Sequence, residues 1–215
     1  MEDLVELEEI RSRNIDVEHL SKRAISDEPF RNEIVRQLIN NKDIMVYYHC
    51  YYILQRASET RADLFYTYWD DFASLIGHEN SYHRDIGASM IANLASADTN
   101  HYLDNIMDAY LEHIYDEKFM TAQCFIRNLA KIIKSREDLS TKIVTALIAG
   151  NEDSPYPEKQ RELLKCSMLE VLDTAYETSS RKEAIDTFIQ EALVSKSPKT
   201  KKKATELLSK YHLQS

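Results

Sequence analysis

Apolar positions recur at three- and four-residue intervals along most of the chain, and polar turns break the rhythm at regular distances. Residues 64–95, LFYTYWDDFASLIGHENSYHRDIGASMIANLA, show one unit complete: an apolar-periodic segment, a short polar turn over 77–81, and a second apolar-periodic segment rich in small residues. The pattern predicts a helical hairpin in which each helix lays an apolar face on the other, and neither face closes a globule alone. The same alternation predicts helices over 28–39, 42–57, 61–76, 81–95, 100–114, 118–134, 139–149, 158–176, 181–194 and 198–211. These ten helices fall into five hairpins, at about 28–57, 61–95, 98–134, 138–177 and 180–213. Two further helices, one over 3–13 that carries acid ahead of base as the helix dipole favours and one over 16–25, are expected to cap the first apolar face. The expected organisation is an N-terminal cap, 1–27, and one continuous repeat domain, 28–215.

Laying the second helices of the hairpins over one another tests the repeat. Small residues at Cys50, Gly87, Ala122, Cys166 and Ala204 recur 37, 35, 44 and 38 residues apart. Large apolar residues follow three or four positions later, among them Ile53, Met90, Phe125, Leu169 and Leu207. Small side chains let helices approach, and the large ones fill the groove between them. The longest interval contains NEDSPYPE, 151–158, where two prolines and acidic residues predict a loop.

A period near 38, with HRDIGASMIANLA, FMTAQCFIRNLA and KKKATELLSKY opening or forming second helices, resembles the HEAT and armadillo family of helical repeats over residues 28–213. That resemblance implies an all-α, right-handed α-solenoid of about five HEAT-like helical hairpins with a curved inner surface and the N-terminal helical cap. Two features depart from the family pattern. The proline of the first HEAT helix is missing, and the Asp-to-Arg turn ladder is kept only in part, as with Asp85 beside Arg84.

Composition narrows the chemistry. With 3 glycines and 4 prolines the chain has little material for sheets joined by tight turns. A net charge of -9 opposes undirected attraction to nucleic acid or to an anionic membrane. No apolar run approaches a membrane span, and the acidic opening MEDLVELEEI is unlike a secretory leader, so the cytoplasm is the expected compartment. Cys50, Cys124 and Cys166, odd in number and set inside apolar helical segments, are expected to be buried thiols.

The aromatic residues are unevenly spread: ten of them fall between Tyr47 and Tyr82. Val46, Tyr47, Ile53, Leu54 and Ala57 mark the core side of the helix over 42–57, which turns Tyr48 and Tyr52 the other way. The same projection puts Tyr82, Asp85 and Ser89 on that side in the next repeat, then Met120, Cys124, Arg127 and Lys131, then Glu170 and Asp173. Tyrosines in a groove offer rigid contact area with a polar tip. The competing placement packs them against the N-terminal helices or a loop.

Other chemistry finds less support. His78 and His83 in HENSYH lack the spacing that sets two imidazoles on one helical face, and His101, Asp104 and Asp108 share a face without a further converging ligand. No metal or cofactor is expected. The sequence therefore predicts a non-catalytic scaffold or adaptor that binds a protein or peptide along the groove. Tyr48, Tyr52 and Tyr82 are the expected anchors, Asp85 lies beside them, and Arg127 and Lys131 are expected to read acidic groups. The alternative is a HEAT-like DNA-binding protein related to the DNA alkylation-repair glycosylases, suggested by Trp69, Asp70 and Asp71. Against it stand the single tryptophan, Ala73 and Ser74 where that family has a later Asp, and the overall acidity. The dense lysines, Lys196, Lys199, Lys201, Lys202 and Lys203, are expected to form the polar end of the stack.

Overall fold

Side-chain carboxylates and hydroxyls set where many of the helices begin. The structure, a computed structural model, describes residues 8–152 and 154–213. The helix expected over 3–13 lies outside these residues up to position 7, and 8–11 are helical. Twelve α-helices follow: α1 (Val17–Ser26), α2 (Glu28–Asn40), α3 (Ile44–Thr60), α4 (Ala62–Phe65), α5 (Trp69–Ile76), α6 (Ser81–Leu94), α7 (Tyr102–Glu112), α8 (Phe119–Ser135), α9 (Ser140–Glu152), α10 (Glu158–Ala175), α11 (Lys182–Ala192) and α12 (Pro198–Lys210). No strand occurs among the described residues, and the fold is all-α. Asp16, Asp27, Asp43, Asn80 and Ser197 cap α1, α2, α3, α6 and α12, each accepting a bond from a first-turn amide that has no partner inside its helix.

The helix expected over 61–76 is divided. A 3-10 turn, Tyr66–Tyr68, separates α4 from α5. The Tyr66 hydroxyl donates to Asp98 Oδ1 at 2.7 Å, and the Tyr68 hydroxyl donates to Asn32 Oδ1, so one end of the turn is tied to the loop before α7 and the other to α2. The segment over 151–158 also differs from a plain loop. α9 runs on to Glu152, and Tyr156 folds inward to bury its ring edge-on against Phe119 and to donate to the Asp116 carbonyl.

The second helices pack in series, α3 on α6, α6 on α8, α8 on α10 and α10 on α12. α2, α5, α9 and α11 each lie against the helix that follows. α7 and the 3-10 turn after it, His113–Tyr115, meet α8 through Tyr110 and His113, whose rings sit 4.7 and 4.4 Å from that of Phe125. α1 packs on α2 and α3. One connected cluster of buried apolar side chains runs from Ile10 to Leu207. Polar bonds follow the same order: Asn93 to Ser58, Asn128 to Ser89, Arg127 to Ser167, Thr178 to Ser140 and Tyr211 to Asp173 each join residues 35 to 40 apart.

The aligned small residues Cys50, Ala122, Cys166 and Ala204 are all buried. Gly87 shows why size matters there: a Cβ on it would lie 3.0 Å from the Ile76 amide nitrogen and 3.0 Å from Leu75 Cβ, so α6 sits directly on the α5 backbone. A side chain gains helix propensity but must push two helices apart, and in a packed core the second effect wins. Gly87→Val is expected to lower stability by about 1–3 kcal/mol. Urea denaturation measures it, and a variant as stable as the unsubstituted chain would show that the contact gives way freely.

Candidate functional site

α3 divides its side chains as its periodicity requires. Val46, Tyr47, Cys50, Ile53, Leu54 and Ala57 are buried, while Ile44, Met45 and Tyr52 are exposed and Tyr48 is half-buried. α6, packed alongside, brings up Tyr82. The Tyr48 ring lies 6.0 Å from that of Tyr52 and meets Tyr82 edge-on at 5.7 Å, so the three tyrosines form one group. Tyr52 and Tyr82 are 45% and 52% exposed. Burial raises the Tyr48 hydroxyl well above its usual range, and neighbouring tyrosines and Asp85 add to the shift.

Asp85 stands one helical turn beyond Tyr82. Its carbonyl accepts from the Ser89 hydroxyl at 3.0 Å and from the Cys124 thiol at 3.7 Å, which links α6 to α8. Asp85 lines a surface cavity of about 440 Å³ shared with Tyr82, Met120 and Thr121. Met120 is 64% exposed and continues the apolar surface onto α8. Ile44 and Met45, just past the Asp43 cap, extend it at the other end. The sequence reading omitted both, although their place on the Tyr48 side of α3 was the available signal.

Arg127 and Lys131 are separated from the tyrosines in role. Arg127 is exposed and donates to Ser167 at 3.4 Å. Lys131 bonds Glu59 Oε1 at 2.8 Å and Asn93 Oδ1 at 2.9 Å, so its charge is already met within the protein. Farther along, Glu170 lies 4.0 Å from Lys199, and Asp173 holds Lys203, Lys210 and the Tyr211 hydroxyl. Burial opposes ionisation of Asp173, but these donors outweigh it and hold the carboxyl below its usual range. Lys196 likewise pairs with Glu158.

The turn ladder is wired differently from the adjacency of Arg84 and Asp85. Arg84 turns away from its neighbour and binds Asp116 through two parallel bonds of 2.8 and 2.9 Å, with both side chains buried. Arg136 lies 3.2 Å from Asp98. The partner carboxylate thus comes 32 residues later for Arg84 and 38 residues earlier for Arg136.

The histidines form no ligand set. His78 and His83 stack with ring centroids 4.4 Å apart. Asp104 pairs with Arg136 as well as His101, and Asp108 pairs with Lys142. Among the described residues, no group of three His, Cys, Asp or Glu side chains converges. Trp69 is buried beneath Tyr66 and Tyr102, with Asp70 and Asp71 outside it. Among the described residues, no helix is long and apolar enough to cross a membrane.

No family profile and no curated protein matches this sequence. Among solved structures, two engineered proteins from the Northeast Structural Genomics Consortium are similar. One is 15% identical with a TM-score of 0.56 over 94% of this chain and 85% of its own. The other is 15% identical with a TM-score of 0.54 over 97% of this chain and 98% of its own. At that identity the likeness concerns the arrangement of helices alone.

Proposed function

We propose that this chain is a right-handed α-solenoid of about five HEAT-like hairpins that acts as a non-catalytic adaptor, holding a peptide or protein segment on the face that carries Tyr48, Tyr52 and Tyr82. The observation that carries the reading is the convergence of three tyrosines from two helices into one solvent-open group, continued by Met120. Rigid amphipathic rings beside an exposed methionine are the composition of binding surfaces, whereas a merely solvated helix face carries charge there. The serial packing of second helices supports the repeat architecture.

The Lys131 ammonium reaches Glu59 across α6 at 2.8 Å and ties α3 to α8 along this face. Arg127, open on the same helix, remains available to an acidic group of the partner.

The test is a phage-displayed peptide library selected on the purified protein, followed by fluorescence anisotropy. A Tyr48→Ala/Tyr52→Ala variant with unchanged helicity is expected to bind the selected peptides at least about 30-fold more weakly, because central aromatic anchors typically contribute 2 kcal/mol or more. Selected peptides that bind the variant as well as the original would overturn the anchor assignment. Collapse of helicity in the variant would instead assign these rings to the core.

A further inference from the structure

The tyrosine face contains a polar atom that the protein itself leaves unserved. Asp85 Oδ1 is shut away from solvent and accepts no hydrogen bond. A carboxylate in that condition is costly unless a positive charge lies close to it. The neighbouring cation is not available to it: the Arg84 guanidinium is committed to Asp116 and to the carbonyls of His78 and Glu79. The cavity's own lysine, Lys118, points to Glu117 at 3.8 Å.

The surroundings of that oxygen favour one kind of visitor. Asp85 forms part of the wall of the 440 Å³ cavity, whose opening carries the half-exposed Tyr82 ring and the exposed Met120 side chain. Aromatic faces attract cations, and apolar side chains accept the methylene stem of a long basic residue while its charged head goes deeper. An anionic group would meet Asp85 and Glu117, and a neutral apolar group would leave the charge of Asp85 without a counter-charge.

We infer that the Asp85 cavity receives a lysine or arginine side chain of the bound peptide, with its stem against Tyr82 and Met120 and an adjoining apolar residue on Tyr48 and Tyr52. This inference rests on the adaptor reading. Burial raises the Asp85 carboxyl above its usual range, and a hydrogen bond from Thr121 opposes that only in part, so an incoming cation relieves a strain already present.

The same peptide selection tests it. Peptides selected on the unsubstituted protein are expected to carry a Lys or Arg at one fixed position. Exchanging that residue for norleucine in the synthetic peptide should weaken binding at least tenfold, and this measurement leaves the protein untouched. Asp85→Asn should weaken the basic peptide to a similar degree and erase most of the difference between the basic and norleucine peptides, as required of two groups in direct contact. Circular dichroism confirms that Asp85→Asn remains helical. Selected peptides without a basic preference, or undiminished binding by Asp85→Asn, overturn the inference. If the Tyr48 and Tyr52 variant still loses binding in that case, the adaptor reading survives; a library that yields no binder at all overturns both.

Discussion

Asp116→Ala lowers the unfolding free energy by about 3–5 kcal/mol, because removing one member of a buried ion pair strands the other. The side chain is 3% exposed and meets four donors: Arg84 Nε at 2.8 Å, Arg84 Nη2 at 2.9 Å, the Lys118 amide at 2.8 Å and the His113 ring at 2.9 Å. Its carbonyl also anchors Tyr156. The alanine therefore leaves the Lys118 amide before α8 without its acceptor, leaves Arg84 charged in a dry site and loosens the loop before α10. Thermal and urea unfolding measure the loss, and a cost below about 1 kcal/mol would show that water takes over the role of the carboxylate. Arg84→Met combined with Asp116→Leu should recover part of the stability, since apolar replacement of a whole buried pair is often neutral or better.

The same carboxylate sets an acid limit. Burial opposes its ionisation, but bonds from Arg84, Lys118 and His113 prevail and keep its folded-state value below the ordinary 3.8. An acid with a depressed folded value contributes stability above its unfolded value, and that contribution disappears as pH falls through the folded one. The unsubstituted chain should therefore lose stability more steeply than Asp116→Ala as pH drops below about 4.

Trp69→Ala is expected to cost about 3–5 kcal/mol, the usual result of deleting a large buried aromatic. Trp69 is 4% exposed, with ring centroids 5.7 Å from Tyr66 and 6.1 Å from Tyr102. Tyr66 in turn bonds Asp98, which Arg136 also holds, so the cavity opens beside a second buried ion pair. The effect falls on urea stability and not on nucleic-acid affinity, because an indole in this position has no free face on which to stack a base. An oligonucleotide titration at low salt gives the contrasting readout: salt-sensitive binding lost in a still-folded Trp69→Ala protein would revive the glycosylase-like alternative.

The helices were legible because every hairpin carries its own apolar stripe. Val46, Tyr47, Ile53, Leu54 and Ala57 mark the core side of α3 within a dozen residues, and Tyr48 and Tyr52 follow by subtraction. That local logic could not find the break at Tyr66–Tyr68, whose hydroxyls are held by Asp98 and Asn32, 32 and 36 residues away. Nor could it pair Arg84 correctly, since Asp85 is adjacent in the chain but Asp116 is adjacent in space. Lys131 looked free for a partner because Glu59 lies 72 residues earlier. The unserved oxygen of Asp85 was equally hidden, because satisfaction is a property of neighbours and not of a residue type.

The spacing of the polar cross-links bears on how the chain acquires its shape during synthesis. Most join residues 32 to 40 apart, so a helix leaving the ribosome finds its partners once a single further hairpin has emerged. Among the described residues, these bonds leave nothing near the N-terminus waiting for the C-terminus, and nascent segments spend little time with bare apolar faces. The longer reach from Lys131 to Glu59 ties α3 to α8 as soon as α8 has emerged, before the last four helices are made.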